Sequence, residues 1–180
     1  MDLSPFPKEA EDLLAETNSH PRLRAHLVLV HDVACQLTAH IHRAWPHLAL
    51  DEKLVHLGAA IHDIGKTVHP QELSEPGHLH EAAGRRLLLE HGWAEKLARF
   101  TVTHGGDFGV NDPLEDLLVA AADKVWKGKR DDALEQALVH RIATLSGDEP
   151  WQVWLAVDDI LTRLAEAAPE RLRWHASHGV

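Results

Sequence analysis

The sequence predicts an all-α protein, and three observations predict it. Leu and Ala dominate the apolar positions, prolines and glycines fall mostly between stretches of helical period, and strand-like alternation is absent. At 180 residues the chain is long enough to bury one substantial core and reads as a single domain over 1–180. A short helix is expected over 7–17. Pro21 then opens a long helix to about Arg43, closed by Trp45-Pro46, because proline fits a first helical turn and disfavours helix in the residue before it. Asp51 can cap a third helix running toward Ile64. Residues 67–77 carry two prolines and a glycine and read as a loop, with helices following at 78–90 and 93–104. The run GGDFGVNDP leads into Asp112-Pro113-Leu114-Glu115, which offers a cap, an N1 proline and an acidic N3 residue for a sixth helix to about Trp126. A seventh helix covers 131–145, an eighth 149–167 after Gly147-Asp148, and a short last one follows Pro169. With no internal repeat and no interdomain linker, the expectation is one bundle of about eight helices.

Composition narrows the function. The net charge of −10 argues against gripping nucleic acid or an anionic membrane by bulk charge, so stable nucleic-acid binding is not expected and any anionic ligand must meet a local exception. Cys35 is the one cysteine, which excludes an intrachain disulfide and a thiolate zinc site and fits a reducing cytoplasm. The N-terminus is acidic and interrupted by Pro5 and Pro7, unlike a secretory signal, and apolar runs such as Leu117 to Ala122 fall well short of the ~18 residues of a membrane span. The outlying count is 16 histidines, the side chain that most often binds metals and titrates near neutrality.

One segment concentrates chemistry. AAIHDIGK sets His62 beside Asp63 at the end of a helix, just before Gly65 and Lys66. Imidazole nitrogen and carboxylate oxygen together suit Mn, Fe, Co, Ni or Zn, although a His-Asp pair by itself also serves as a helix-terminal cap. Three other segments each place one metal-capable residue on a largely apolar helix: His80 in HEAAGRRLL, His104 in TVTHGG, and Asp123 in LLVAAADKVWKGKR. A lone histidine on such a face is more often a hydrogen-bonded core residue. Asp123 is harder to excuse, because an ionised carboxylate in an apolar bundle is costly unless a cation compensates it.

Over roughly residues 22–130 these segments resemble the HD-domain superfamily of metal-dependent phosphohydrolases, with His62-Asp63 in HDIGK, Asp123 in AADK, and His80 and His104 between them in matching order. The resemblance implies a helical bundle whose C-terminal helices, 131–180, pack on the motif-bearing core. It also implies an early helical histidine as a further ligand. HLVLVHDV offers two, His26 and His31. Steps of three and four from His26 reach Val30, Val33, Leu37 and Ile41, an apolar stripe, whereas from His31 they reach Cys35, Thr38 and His42, a more polar face; His26 is therefore chosen and His31-Asp32 read as an imitation of the motif. His80 is preferred to His78 because the family pattern has a glycine four residues after the ligand, as Gly84 is here.

By analogy with binuclear members, His26, His62, Asp63 and Asp123 hold a first metal, and Asp63 bridges to a second bound by His80 and His104. The implied reaction is hydrolysis of a phosphate ester or anhydride of a nucleotide or other small phosphorylated molecule by a metal-activated hydroxide, with Lys66 steadying a phosphate oxygen. Lys124, Lys127, Lys129 and Arg130 form either a local positive patch for substrate or ordinary charge at a helix C-terminus. Trp126 is assigned to structure, and Trp151 and Trp154 to bundle packing or a dimer face. Two other readings stay open: a mixed-valent di-iron oxygenase of the HD-like type, and a non-enzymatic nucleotide-binding module. The metal's identity, one ion or two, and the oligomeric state are left open by the sequence.

Overall fold

The computed structural model describes residues 1–178. Among the described residues there are ten α-helical segments and no strand: α1 (Lys8–Glu16), α2 (Pro21–Ala44), α3 (Glu52–Ile61), α4 (Leu79–Glu90), α5 (Glu95–Ala98), α6 (Phe100–Thr103), α7 (Leu114–Val125), α8 (Asp132–Ser146), α9 (Pro150–Glu166) and α10 (Ala168–His178). Two of them, α5 and α6, are single turns, and the other eight answer to helices expected from the sequence outside 93–104. Short 3-10 turns at Ile64–Thr67 and Pro70–Leu73 join α3 to α4.

The central element is α2. Its first turn is set by Pro21 and by the His20 ring, which accepts from the Arg22 backbone N–H. Leu23, Leu27, Val30, Val33, Leu37 and Ile41 are fully buried along it, and α3, α7, α9 and α10 pack around it. Full burial of each such aliphatic side chain is worth about 1.5–3 kcal/mol relative to exposure. One core joins α2, α3, α7, α8 and α9 through Leu37, Val55, Leu117, Leu138 and Val157. The last helix is fastened by Arg171, buried and donating to the Leu164 carbonyl near the end of α9. The end of α2 is tied across the fold by Trp45 Nε1 donating to Asp148 at 2.7 Å.

Several boundaries differ from expectation for local reasons. Asp51 does cap α3, accepting from Leu54 N at 3.0 Å. That helix stops at Ile61 rather than Ile64, and a 3-10 turn carries the chain past Asp63. Asp112 does not cap α7; its carboxylate turns back to Gly109 N, and the helix begins one residue after Pro113 without a side-chain cap. The single helix expected over 93–104 is two turns meeting at Arg99, whose guanidinium forks onto buried Asp116 at the start of α7. The face of α2 bearing His31 and Thr38 is buried like its neighbour, because α3 and residues 4–7 cover it: Ser4 donates to Asp32, Phe6 meets the His31 ring edge-on, and His56 bonds Thr38. Trp151 and Trp154 are 62% and 50% exposed on α9, so the bundle does not bury them.

Gly65 is where the fold admits no side chain. A Cβ there meets the carbonyl of His80 and comes within 2.6 Å of the Gly84 nitrogen, so the Ile64–Thr67 turn can lie against α4 only because residue 65 lacks one. Gly65→Ala is therefore expected to cost about 3 kcal/mol or more, at the upper end for overpacking, read as a lowered midpoint in urea unfolding. A second expectation concerns pH. Burial, with His56 adding to it, pushes the His31 imidazole from 6.5 down to about 4. Between those values the unfolded chain binds a proton that the folded chain refuses, so stability is lost as pH falls from 6.5 toward 4. Urea unfolding across that window should show a slope that His31→Gln reduces by at most about 1.4 kcal/mol per pH unit.

Candidate metal centre

Five helices and one turn bring six side chains to one point. His26 comes from the first turns of α2, His62 from the end of α3, Asp63 from the start of the following turn, His80 from α4, His104 from the end of α6 and Asp123 from α7. Around Asp63 the imidazoles divide. Its Oδ2 lies 3.0 Å from His26 Nε2 and 3.6 Å from His62 Nε2, and its Oδ1 lies 3.1 Å from His80 Nε2 and 3.4 Å from His104 Nε2. Asp123 Oδ1 closes the first group, 3.5 Å from His26 Nε2 and 3.7 Å from His62 Nε2. Among the described residues two triads are compact enough to hold a metal ion: His26, His62 and Asp123, and His62, Asp63 and His104.

The tautomers follow from the outer hydrogen bonds. His62 Nδ1 faces the Ala59 carbonyl and His104 Nδ1 the Phe100 carbonyl, both at 2.9 Å. A carbonyl oxygen only accepts, so each Nδ1 carries the proton and each Nε2 turns a lone pair inward. His80 Nδ1 lies 2.6 Å from Glu72 Oε2, a carboxylate that also accepts from the backbone nitrogens of Leu79 and His80. His80 Nε2 and Asp63 Oδ1 are buried without a hydrogen-bond partner. Inward lone pairs around a buried carboxylate form a cation receptor, and its mixed nitrogen and oxygen donors fit a divalent transition metal.

The electrostatics agree. Burial opposes ionisation of Asp63, yet the ring of imidazoles around it, His62 foremost with His104, His26 and His80, holds its carboxyl well below the usual range. Asp123 is likewise held far down against its burial, by His62, His26 and Lys127. Burial drives His26 down to about 4, so it stays a neutral donor despite both carboxylates. Lys66 Nζ reaches Asp63 Oδ2 at 2.5 Å and Lys127 Nζ reaches Asp123 Oδ2 at 3.7 Å.

The remaining residues singled out in the sequence sort by position. His31 lies away from this centre, in a cavity of about 640 Å³ shared with Ser4, Cys35 and His56. Lys127 and Lys66 line a cavity of about 260 Å³ that includes His26. Lys124 and Arg130 do not line it. They border a narrow crevice beside α8, where Arg130 is tied to Glu135, Asp158 and Thr162, so the expected four-residue basic patch reduces at the mouth to Lys127. His78, the alternative to His80, pairs with Glu81 instead. Sequence reasoning missed Glu72, whose only signal was its place eight residues before His80. It also missed Arg22, Leu172 and His175, which share the 260 Å³ cavity with Trp126.

Comparison with known proteins follows the same outline. The HD domain family matches residues 23–126. Two similar solved structures are the HD domain of the phosphodiesterase PgpH from L. monocytogenes, at 16% identity with a TM-score of 0.57 over 88% of this chain and 97% of that one, and the same domain in complex with cyclic-di-AMP, at 15% identity and 0.56 over 87% and 94%. At that identity they show the fold. No curated protein matches the chain significantly. Among the described residues no helix is long and apolar enough to cross a membrane.

Glu72→Ala removes the acceptor that fixes the His80 tautomer. It is expected to weaken retention of metal about 10- to 100-fold, measured by competition of metal-loaded protein with a graded chelator.

Proposed function

The chain belongs to the HD domain family, and from that premise we propose that it is a metal-dependent phosphohydrolase acting on a nucleotide or another small phosphorylated molecule. The observation that carries the reading is the set of inward imidazole lone pairs around the two oxygens of buried Asp63. His26, His62, Asp63 and Asp123 would hold one divalent ion, and Asp63, His80 and His104 would hold a second. A metal bound there supplies positive charge against phosphoryl oxygens and makes water acidic enough to serve as a nucleophile near neutral pH. PgpH is a phosphodiesterase and its HD domain is seen with cyclic-di-AMP, which supports a phosphorylated nucleotide as the ligand class.

This chain's own groups then do the following. In hydrolysis a water oxygen bonds to phosphorus as the bond to the leaving oxygen breaks, and negative charge gathers on the phosphoryl oxygens. Lys66 and Lys127 stand at the edge of the carboxylates and meet that charge from the mouth side. Asp63 and Asp123 stay ionised throughout, and His26 stays neutral, so none competes with the substrate for a proton. The fold walls off the other sides: Phe100 and Ala59 are fully buried behind His104 and His62.

Untagged protein loaded with Mn or Fe is expected to retain close to two equivalents by elemental analysis and to release phosphate or a phosphorylated product from members of a panel of nucleotides, cyclic dinucleotides and dinucleoside tetraphosphates. Asp63→Ala and His62→Ala should bring that turnover to background. Unchanged turnover in both variants, or iron-dependent oxygen consumption without hydrolysis, overturns the reading.

A further inference from the structure

Half of the lining of the 260 Å³ cavity beside the metal centre lies outside the family match. His26, Lys66, Leu73 and Trp126 fall within it, but Arg22 precedes it and Lys127, Leu172 and His175 follow it. Its lining includes three cations, Arg22, Lys66 and Lys127, two leucines, Leu73 and Leu172, and no carboxylate, in a chain of net charge −10. Arg22 forms no ion pair among the described residues, and Lys66 and Lys127 pair with carboxylates already assigned to the centre.

Trp126 supplies a second observation. It is buried between His26 and His175, with ring centroids 5.3 and 5.4 Å away, and its indole N–H finds no acceptor. Held by rings on both sides, the indole is a fixed wall of the cavity. A volume of about 260 Å³ lies below the ~300–1,000 Å³ that encloses drug-sized ligands, so the occupant is compact.

We propose that this mouth selects a compact metabolite carrying a second phosphoryl group beside the reacting one: Arg22, the cation of the lining left without a carboxylate partner, meets its charge, and Leu172 and His175 of α10 flank the organic remainder. The inference rests on the functional reading above, since it places the reacting group at the proposed metals. A substrate with one phosphoryl group leaves Arg22 unused, so the second phosphoryl is what the wall reads.

The test is calorimetric titration of metal-loaded full chain with two non-hydrolysable probes, methylenediphosphonate and methylphosphonate, and with ADP. Arg22→Gln is expected to weaken methylenediphosphonate roughly tenfold while leaving methylphosphonate within about twofold, and Lys96→Gln, an equal charge change on exposed α5, should move neither. His175→Ala should weaken ADP and spare methylenediphosphonate. An Arg22→Gln protein that loses both probes equally, or neither, overturns this inference while the metal-centre reading stands. A chain that takes up no metal overturns that reading and this inference with it.

Discussion

The architecture turns on one electrostatic constraint, the ionised carboxylate of Asp63 at 2% exposure in the middle of a helical bundle. An isolated charge in that position is costly by several kcal/mol, so its surroundings must supply positive charge or directed donors from every side. They do so from separate elements: His26 from α2, His62 from α3, His80 from α4, His104 from α6, with Asp123 of α7 sharing two of the same imidazoles. Each of these helices is thereby fixed relative to the others by a polar contact as well as by the apolar core. The same surplus of inward lone pairs that makes the site uncomfortable as a bare polar cluster makes it a receptor for a cation.

Holding that arrangement requires outer support. The backbone carbonyls of Ala59 and Phe100 set the tautomers of His62 and His104, and Glu72 sets that of His80. The glycine at 65 lets the turn after Asp63 approach α4 closely enough for His80 to reach Asp63. Farther out, the buried Arg99–Asp116 pair joins the short α5–α6 region to α7, and Arg171 fastens α10 over the edge of α2 and α9. A centre shared among five helices and a turn thus depends on contacts that never touch it.

Much of this was legible along the chain because its causes are local. Helical phase distinguished His26 from His31, and the structure puts the former's Nε2 against Asp63 and the latter in a separate cavity. The same phase argument read the His31 face as the more polar one but could not tell that it is covered, because the covering residues, Ser4 and Phe6, arrive from a segment whose position no periodicity encodes. The basic run after Asp123 was open as a substrate patch or as charge at a helix end, but α7 stops at Val125 and the turn through Gly128 leaves Lys127 at the mouth and Lys124 and Arg130 at a crevice by α8. Glu72 gave almost no signal, being a single acid in a proline-marked stretch.

By itself the sequence determined an all-α bundle, the order and approximate limits of eight substantial helices, and a series of metal-capable side chains in a family's order, since each of these follows from periodicity, capping residues and motif spacing. Only the tertiary structure decided how the carboxylate oxygens of Asp63 are divided between pairs of imidazoles, which acid orients His80, and which cations border the mouth. Those are relations between residues separated by tens to about 150 positions, such as His26 and His175 on either side of Trp126. They are set by how helices cross and pack, which side-chain pattern along one helix does not specify.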